Sequence, residues 1–186
     1  MKGVLVQTTL SGMKALNKII ETGIIGISSK PLGCQPPYFK DRALSFCSYF
    51  CEGYKEIYGG RDGIIFETDS PAVYACPVDS FNLMRGGNHL PGHERFIFSS
   101  IQDMLRKYPT SAHFKKDFQK YFKRLKPAEV YPEHDLDFAR LHYDMDYCLR
   151  SGWTLGCNEI TFPKPLKIKN PKIFGSMEEL ENFLIQ

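Results

Sequence analysis

Blocks of apolar residues separated by short polar runs open the chain. Residues 4 to 10, VLVQTTL, predict a first strand, because apolar and β-branched residues dominate the block. Ser11 then caps a predicted helix that runs to about Thr22, where apolar residues recur at helical spacing and Gly23 supplies the stop signal. Residues 23 to 29, GIIGISS, predict a second strand or an extended segment.

The next block has a less regular pattern. Residues 30 to 42, KPLGCQPPYFKDR, contain three prolines and one glycine, which predicts a loop with a defined course. Residues 43 to 50, ALSFCSYF, fit a strand or a helix by periodicity alone. Residues 51 to 60, CEGYKEIYGG, predict a short helix that two glycines close.

The middle of the chain returns to strand-like patterns. Residues 62 to 69 and 72 to 78 predict two strands separated by a Ser-Pro turn. Residues 82 to 95, NLMRGGNHLPGHER, are rich in glycine and predict a loop. The loop leads into FIFS, residues 96 to 99, a short predicted strand.

Three helices are predicted from helical periodicity after this point. A capping box of Ser99 and Gln102 opens the helix SSIQDMLRKY. Residues 111 to 125 form an amphipathic helix with aromatic residues on one side and lysines on another. Residues 134 to 149, HDLDFARLHYDMDYCL, predict the third helix.

The end of the chain predicts two strands and a helix. NEITF, residues 158 to 162, and LKIKNPKIF, residues 166 to 174, are strand-like. Ser176 and Glu179 form a capping box for the final helix, SMEELENFLI. The order of elements predicts a single mixed α+β domain over residues 1–186.

Composition narrows the class of protein. The chain has 186 residues, of which 42% are hydrophobic and 13% aromatic, as expected of one folded domain rather than a disordered chain. No apolar run is long enough for a membrane span or a secretory signal, so we expect a cytoplasmic protein with no membrane partner. Six cysteines lack the paired CxxC spacing of a zinc site, and we interpret them as reduced, mostly buried thiols.

Two segments have metal-binding or phosphate-binding residue types. His134, Asp135, Asp137, His142, Asp144 and Asp146 could be ligands, but the spacing matches no known zinc motif and a solvated helix face is the favoured interpretation, so no metal is expected. The 82 to 95 loop could wrap a phosphate with backbone N–H groups, or it could be a plain connection. Its glycines do not follow the P-loop order, so both interpretations stay open.

Three stretches together resemble ADP-ribosyltransferase-like proteins. VQTTLSGMKALNKIIETGI resembles their first strand and helix, with Gln7 on the position of a histidine and Thr9 on that of a threonine. PYFKDRALSFCSYF is similar to a loop and following element of DarT-type DNA ADP-ribosyltransferases, where Arg42 matches an arginine. NEITFPKPLKI is similar to their closing strand, where Glu159 matches a glutamate. ALSFCSYFCEGYKEIYGGRDGIIF is also similar in plan to AbiGi-type phage-resistance proteins.

The resemblance implies a fold and a reaction. The fold would be an ADP-ribosyltransferase-like α+β domain whose mixed or antiparallel strands are split around an NAD cleft. The enzyme would transfer ADP-ribose from NAD, its co-substrate, through a transition state with positive charge on the ribose, which the Glu159 carboxylate would stabilise. Arg42 would pair with a phosphate or help to activate a base. Five residues would bind NAD through its ribose, its amide or its nicotinamide ring: Gln7, Thr8, Thr9, Ser45 and Tyr49.

Two residues depart from the family pattern. Gln7 can donate and accept hydrogen bonds but cannot titrate as the family's histidine does. Cys157 stands where many relatives have a glutamine or glutamate that orients the acceptor. Acceptor identity and activity therefore do not follow from the resemblance.

The charge pattern suggests the acceptor. Net charge is only +3, but residues 113 to 126, HFKKDFQKYFKRLK, concentrate positive charge. Lys116, Lys120 and Lys123 would lie along a phosphate backbone, and Tyr38 would stack on an unpaired base. The predicted function is a toxin or phage-defence enzyme that modifies a nucleic-acid base and has a neutralising antitoxin or immunity partner. The alternative is a catalytically silent module on the same fold that binds nucleic acid or protein.

Overall fold

A computed structural model describes residues 3–8, 13–26, 42–57, 62–78, 84–85, 88–89, 92–124 and 157–185. Within these ranges the strands are β1 Gly3–Thr8, β2 Ile24–Ile25, β3 Leu44–Cys51, β4 Gly63–Glu67, β5 Tyr74–Cys76, β6 Met84–Arg85, β7 Asn88–His89, β8 Glu159–Pro163, β9 Leu166–Lys167 and β10 Lys169–Phe174. The helices are α1 Met13–Thr22, α2 Ile101–Lys107, α3 Ser111–Phe122 and α4 Met177–Ile185, with a 3₁₀ turn at His93–Phe96.

A six-stranded sheet forms the centre of the molecule. Its order is β10-β4-β1-β3-β8-β5, and each neighbouring pair is antiparallel. Two two-stranded sheets, β2-β9 and β6-β7, accompany it. The prediction of an α+β fold with antiparallel central strands is confirmed at this level.

Helices cover both faces of the sheet, and strand periodicity decides which residues meet them. Side chains alternate between faces along each strand. On one face, the α1 face, Leu16 of α1 packs in a cluster with Cys47, Ile64 and Ile160. The other face, the α3/α4 face, has two separate clusters. One joins the sheet to α3: Leu44, Tyr74, Cys76, Phe96, Phe114, Phe118 and Tyr121. The other joins it to α4: Val6, Phe50, Ile65, Phe174 and Leu180.

Burial from both sides settles the ambiguous pattern of residues 43 to 50. β3 lies between β1 and β8, so its side chains are covered on both faces. Six of its eight residues are buried, and the other two, Phe46 and Tyr49, are half-buried. A strand covered on both faces shows a nearly continuous apolar run, which periodicity alone cannot distinguish from a helix.

The short helix predicted at 51 to 60 is wrong over its described part, residues 51 to 57. β3 continues to Cys51, and the chain then turns so that Cys51 and Tyr54 exchange backbone hydrogen bonds of 3.1 and 2.9 Å. Tyr54 is buried and its hydroxyl donates to the Tyr108 carbonyl at 3.0 Å. Tertiary burial of this tyrosine therefore overrides the local helical pattern.

Other boundaries shift by a few residues. The predicted strand FIFS overlaps the 3₁₀ turn, and only a single bridge joins Phe98 to Ala75. The N-cap of α2 is Ser100 rather than Ser99, and its side chain accepts from the Asp103 N–H. The strand predicted over residues 166 to 174 is two strands, because the N–H of Ile168 turns away to the Gly23 carbonyl at 2.9 Å. The helix predicted at 134 to 149 lies outside the described residues.

Candidate functional site

Glu159 is a buried carboxylate in the interior of the sheet. It is the first residue of β8, and only 9% of it is exposed. The hydroxyl of Tyr74, on β5, donates a hydrogen bond of 2.9 Å to Oε1 of Glu159. A buried carboxylate is costly unless polar partners compensate it, so this side chain differs from the solvated strand end that the sequence also allowed.

The preceding residue fixes the start of β8. The Asn158 side chain accepts a 2.7 Å hydrogen bond from the Tyr49 N–H and donates a 2.8 Å bond to the Tyr49 carbonyl. The amide thus occupies the ladder position that a backbone pair would otherwise fill, and Asn158 is only 2% exposed. This double bond to β3 fixes the backbone from which the Glu159 side chain projects.

Glu159 lies in a short polar row on the α3/α4 face. The register pairs Ile65 with Val6, Val6 with Ser48, and Glu159 with Cys76, and the β3–β8 register brings Ser48 beside Glu159. Val6 and Ile65 belong to the α4 cluster, and Cys76 belongs to the α3 cluster. Ser48 and Glu159 therefore form a polar seam between two apolar clusters.

The adjacent row on the same face contains two threonines. Thr8 lies on this face because it alternates with Gln7 and follows Val6 by two residues on β1, and Thr161 pairs with Phe46 on β3 and with Tyr74 on β5. Thr161 is fully buried, and its hydroxyl has no hydrogen-bond partner within the described part of the chain. Thr8 shares the face of Glu159 from two strands away, about 10 Å across the sheet.

Gln7 faces the other side of the sheet. The register that pairs Val6 with Ser48 places Gln7 opposite Cys47, and the Cys47 thiol donates to Gln7 Oε1 at 3.4 Å. The Gln7 amide nitrogen also donates to the Thr8 carbonyl at 2.8 Å. A shift of one residue along a strand reverses the face, so the structure brings Thr8, but not Gln7, to the face of Glu159.

Ser45 and Tyr49 also belong to the α1 face. Both are an odd number of residues from Ser48 along β3, so their side chains point to the opposite face from Ser48. The Ser45 hydroxyl is buried with no hydrogen-bond partner among the described residues. The Tyr49 ring crosses Gly3, where an added Cβ would meet the ring at 2.6 Å. These two side chains therefore pack on the far side of the sheet from Glu159.

Arg42 lies at the opposite end of the sheet from Glu159. It is exposed and precedes β3. Ser48, the β3 residue beside Glu159, lies six residues further along the chain, which corresponds to about 20 Å in an extended strand. Together with Pro71, Val73 and Pro163 it lines an open cavity of about 630 Å³. Buried Thr161 and Tyr74 lie between this cavity and the Glu159 row, so the structure does not unite the two predicted catalytic residues.

The described cysteines around the site are buried. Burial raises the pKa of the Cys47 thiol, and the Glu159 carboxylate raises it further. Cys157, two residues before Glu159, is a buried, reduced thiol, as are Cys51 and Cys76. The prediction of reduced, buried thiols is confirmed for these four, whereas Cys34 and Cys148 lie outside the described residues.

The basic face of α3 is exposed as the periodicity predicts. Lys116, Lys120 and Lys123 point to solvent at a spacing that keeps them on one side, while Phe114 and Phe118 are buried on the other. Neighbouring Lys115 is excluded from this stripe because it pairs with Glu56 at 3.8 Å. We call Lys116, Lys120 and Lys123 the lysine stripe.

Several residues singled out from the sequence lie outside the described ranges. Thr9 and Tyr38 lie outside the described residues, as does the segment from His134 to Asp146. Within the described ranges, no three histidine, cysteine or acidic side chains cluster as a metal site would require. Of the 82 to 95 loop, the structure gives the β6–β7 pairing and the start of the 3₁₀ turn, in which His93 is buried.

Sequence reasoning missed three residues of the site: Ser48, Tyr74 and Asn158. Tyr74 is 85 positions from Glu159, and no local pattern indicates which strands will become neighbours. A detectable signal did exist for Asn158, because an amide directly before a strand-initial glutamate is a short polar pair leading into an apolar run.

Comparison with protein-family models, curated proteins and solved structures found no match. Among the described residues, the longest helix falls short of the length and apolar content that crossing a membrane requires. Functional inference therefore depends on the geometry around Glu159.

Proposed function

We propose that the chain is an NAD-dependent ADP-ribosyltransferase in which Glu159 is the catalytic residue. The supporting observation is a carboxylate that is nearly buried in a central strand, bonded by Tyr74 and held at its backbone by Asn158. A carboxylate fixed in this way is suited to stabilise positive charge that develops beside it, because little reorganisation is needed.

The reaction breaks the bond between ribose C1′ and the nicotinamide nitrogen. Nicotinamide leaves as a neutral molecule with the bonding electron pair, and positive charge develops on the ribose. A nitrogen or oxygen of the acceptor then forms the new bond to C1′ and loses its proton. Glu159 would accept a hydrogen bond from a ribose hydroxyl and offset the positive charge, as carboxylates do in glycosyl transfer.

The roles of the other residues change with the geometry. Thr8 and Ser48 share the face of Glu159, so their hydroxyls are the candidates for bonding the ribose or the amide of NAD. Gln7, Ser45 and Tyr49 face α1, and Arg42 lies at the far end of β3, so the proposal assigns them no contact with the reacting ribose.

The proposed acceptor is a base in single-stranded nucleic acid. The exposed lysine stripe on α3 supplies three positive charges along one helix face, and phosphate neutralisation by lysines favours binding of any nucleic acid. A toxin or phage-defence enzyme of this kind would need an antitoxin or immunity partner in its own cell.

The second candidate function is a catalytically silent module that binds nucleic acid or protein. The observation that favours it is the same lysine stripe, which is exposed and lies on an element separate from Glu159. In that case Tyr74 and Glu159 would be a buried polar pair of the core.

The deciding experiment incubates the purified protein with NAD labelled in its adenylate, together with DNA, RNA and protein acceptors. We expect nicotinamide release and a labelled acceptor from the wild type. Glu159→Gln should lower the rate by about 100-fold or more, as for removal of one transition-state group. Glu52→Gln is the matched control, since Glu52 is an exposed glutamate on the turn after β3.

Two outcomes would overturn the enzymatic proposal. One is the absence of both nicotinamide release and acceptor labelling across the panel, which would leave the binding module. The other is equal activity of wild type and Glu159→Gln, with both proteins folded by circular dichroism.

A further inference from the structure

Tyr74 and Glu159 are joined across two strands in an apolar part of the molecule. Tyr74 lies opposite Thr161 on β8, and its hydroxyl reaches one row along the sheet to Oε1 of Glu159 at 2.9 Å. Only 1% of Tyr74 is exposed. A buried phenol and a buried carboxylate each lose their bonds to water on folding, so each needs a partner of this kind.

The tyrosine ring is itself held rigidly. It belongs to the α3 cluster, in which Phe96 makes T-shaped contacts with Phe114 and Phe118, and all three ring centroids are 5.3 to 5.6 Å apart. A ring packed in such a cluster keeps one rotamer, because interiors are close-packed. The hydroxyl at its end is therefore a donor with a fixed position.

We propose that Tyr74 is the positioning residue of Glu159, which fixes the orientation of the carboxylate and stabilises its ionised form. The catalytic consequence depends on the proposed function, whereas the pairing itself does not. A hydrogen bond donated to an ionised oxygen is among the stronger ones in proteins and is weakened when the carboxylate takes up a proton.

The strands on either side of Glu159 carry several other polar side chains. In the described residues, the titratable side chains on these strands are Tyr74 and Cys76 on β5 and Cys47, Tyr49 and Cys51 on β3, and the Ser48 side chain lies beside Glu159. A thiol is a weak donor, and burial raises the pKa of Cys47, so that thiol stays protonated. Removing the phenolic oxygen of Tyr74 therefore removes the 2.9 Å hydrogen bond to Oε1, whose donor is stronger than a thiol.

The primary test titrates Glu159 directly. Protein labelled with ¹³C at the glutamate carboxyl carbon is followed by NMR, and the Glu159 signal is assigned by its loss in Glu159→Gln. Tyr74→Phe should raise the midpoint of Glu159 by about one pH unit, because the variant loses a bond to the ionised form. Tyr108→Phe is the matched control: its hydroxyl donates to Asp117, on α3, so the Glu159 midpoint should not move.

A reciprocal measurement protects the test against a Tyr74→Phe variant that fails to fold. Both wild type and Glu159→Gln are labelled with ¹³C at tyrosine Cζ. Compared with wild type, Glu159→Gln should show a shifted Tyr74 signal and an unshifted Tyr108 signal. An unchanged Glu159 midpoint in Tyr74→Phe, or an unchanged Tyr74 signal in Glu159→Gln, would overturn the proposal.

Kinetics separate this inference from the proposed function. If the wild type transfers ADP-ribose, Tyr74→Phe should lower kcat about tenfold with little change in KM. The acidic limb of its pH–activity profile should also move to higher pH, because the activity depends on ionised Glu159. If Tyr74→Phe keeps the wild-type kcat and an unshifted pH profile, Tyr74 is not a positioning residue, although Glu159 can still be catalytic. If the wild type has no activity on NAD, the proposed function fails, and the NMR titration still decides whether Tyr74 controls Glu159.

Discussion

Asn158 bonds to both the N–H and the carbonyl of Tyr49, at 2.7 and 2.8 Å. A side-chain amide has the same donor and acceptor pair as a peptide group, so it can close the ladder between β3 and β8 one residue before β8 begins. The chain ahead of Asn158 is thereby released from the ladder without leaving the Tyr49 backbone unpaired. The residue that follows this closure is Glu159.

Replacement of Asn158 should destabilise the protein. Asn158→Ala removes two buried hydrogen bonds and leaves the Tyr49 N–H and carbonyl without these partners, so we expect a loss of about 2 to 3 kcal/mol in the free energy of unfolding. Urea denaturation measures it. Asn182→Ala, at an exposed position on α4, is the control and should change the free energy by less than about 0.5 kcal/mol. Equal, small effects of both variants would show that the two hydrogen bonds between Asn158 and Tyr49 do not stabilise the fold.

The lysine stripe should determine the salt dependence of nucleic-acid binding. Replacing Lys116, Lys120 and Lys123 by glutamine removes three phosphate contacts, so the slope of log Kd against log salt for single-stranded DNA should fall by roughly 2. A control triple variant of three exposed lysines elsewhere has the same net charge: Lys14, Lys18 and Lys167. Fluorescence anisotropy from low to moderate salt makes the comparison.

Equal losses in the two triple variants would show a general charge effect and remove the stripe as the binding surface. A wild type that binds neither DNA nor RNA would remove nucleic acid as the acceptor. Neither result depends on Glu159 being catalytic.

Asp103 should make stability depend on pH at the start of α2. Hydrogen bonds from the Ser100 and Ser99 hydroxyls hold the pKa of Asp103 below its ordinary value. A depressed pKa in the folded state means that the stabilisation is present above the ordinary aspartate pKa and is lost as the pH falls through the folded value. Asp103→Asn should therefore unfold at a lower temperature than wild type at pH 7.

The difference between the two proteins should shrink toward pH 3 and vanish below the folded pKa. Thermal unfolding from pH 3 to pH 7 measures it, and Asp62→Asn, outside a helix, serves as the control. A constant difference in unfolding temperature across this range would show that protonation of Asp103 does not contribute.

Local patterns predicted the elements better than they predicted the site. Short-range periodicity predicts the strand NEITF and the helix that has Phe114 and Phe118 on one side. This periodicity is local because each element buries particular side chains against the core. The grouping of residues depends on register and strand order, which join positions such as Tyr74 and Glu159 far apart in sequence. The resemblance assigned Gln7 and Glu159 to one NAD site, but strand alternation puts the two on opposite faces of the sheet.

The reactivity of Cys47 tests that separation of faces. Burial and the Glu159 charge raise the pKa of this thiol, so little thiolate exists at pH 8 and an aromatic disulfide reagent should react slowly in the folded state. In a protein with Cys34 and Cys148 replaced by serine, we expect slow labelling of the four described cysteines in buffer and complete labelling in denaturant, measured by mass spectrometry. The Cys47 thiol bonds to Gln7, so this result would place Gln7 in closed core. Rapid labelling of Cys47 in the folded protein would instead show an open site on the α1 face and would support the expectation that Gln7 contacts NAD.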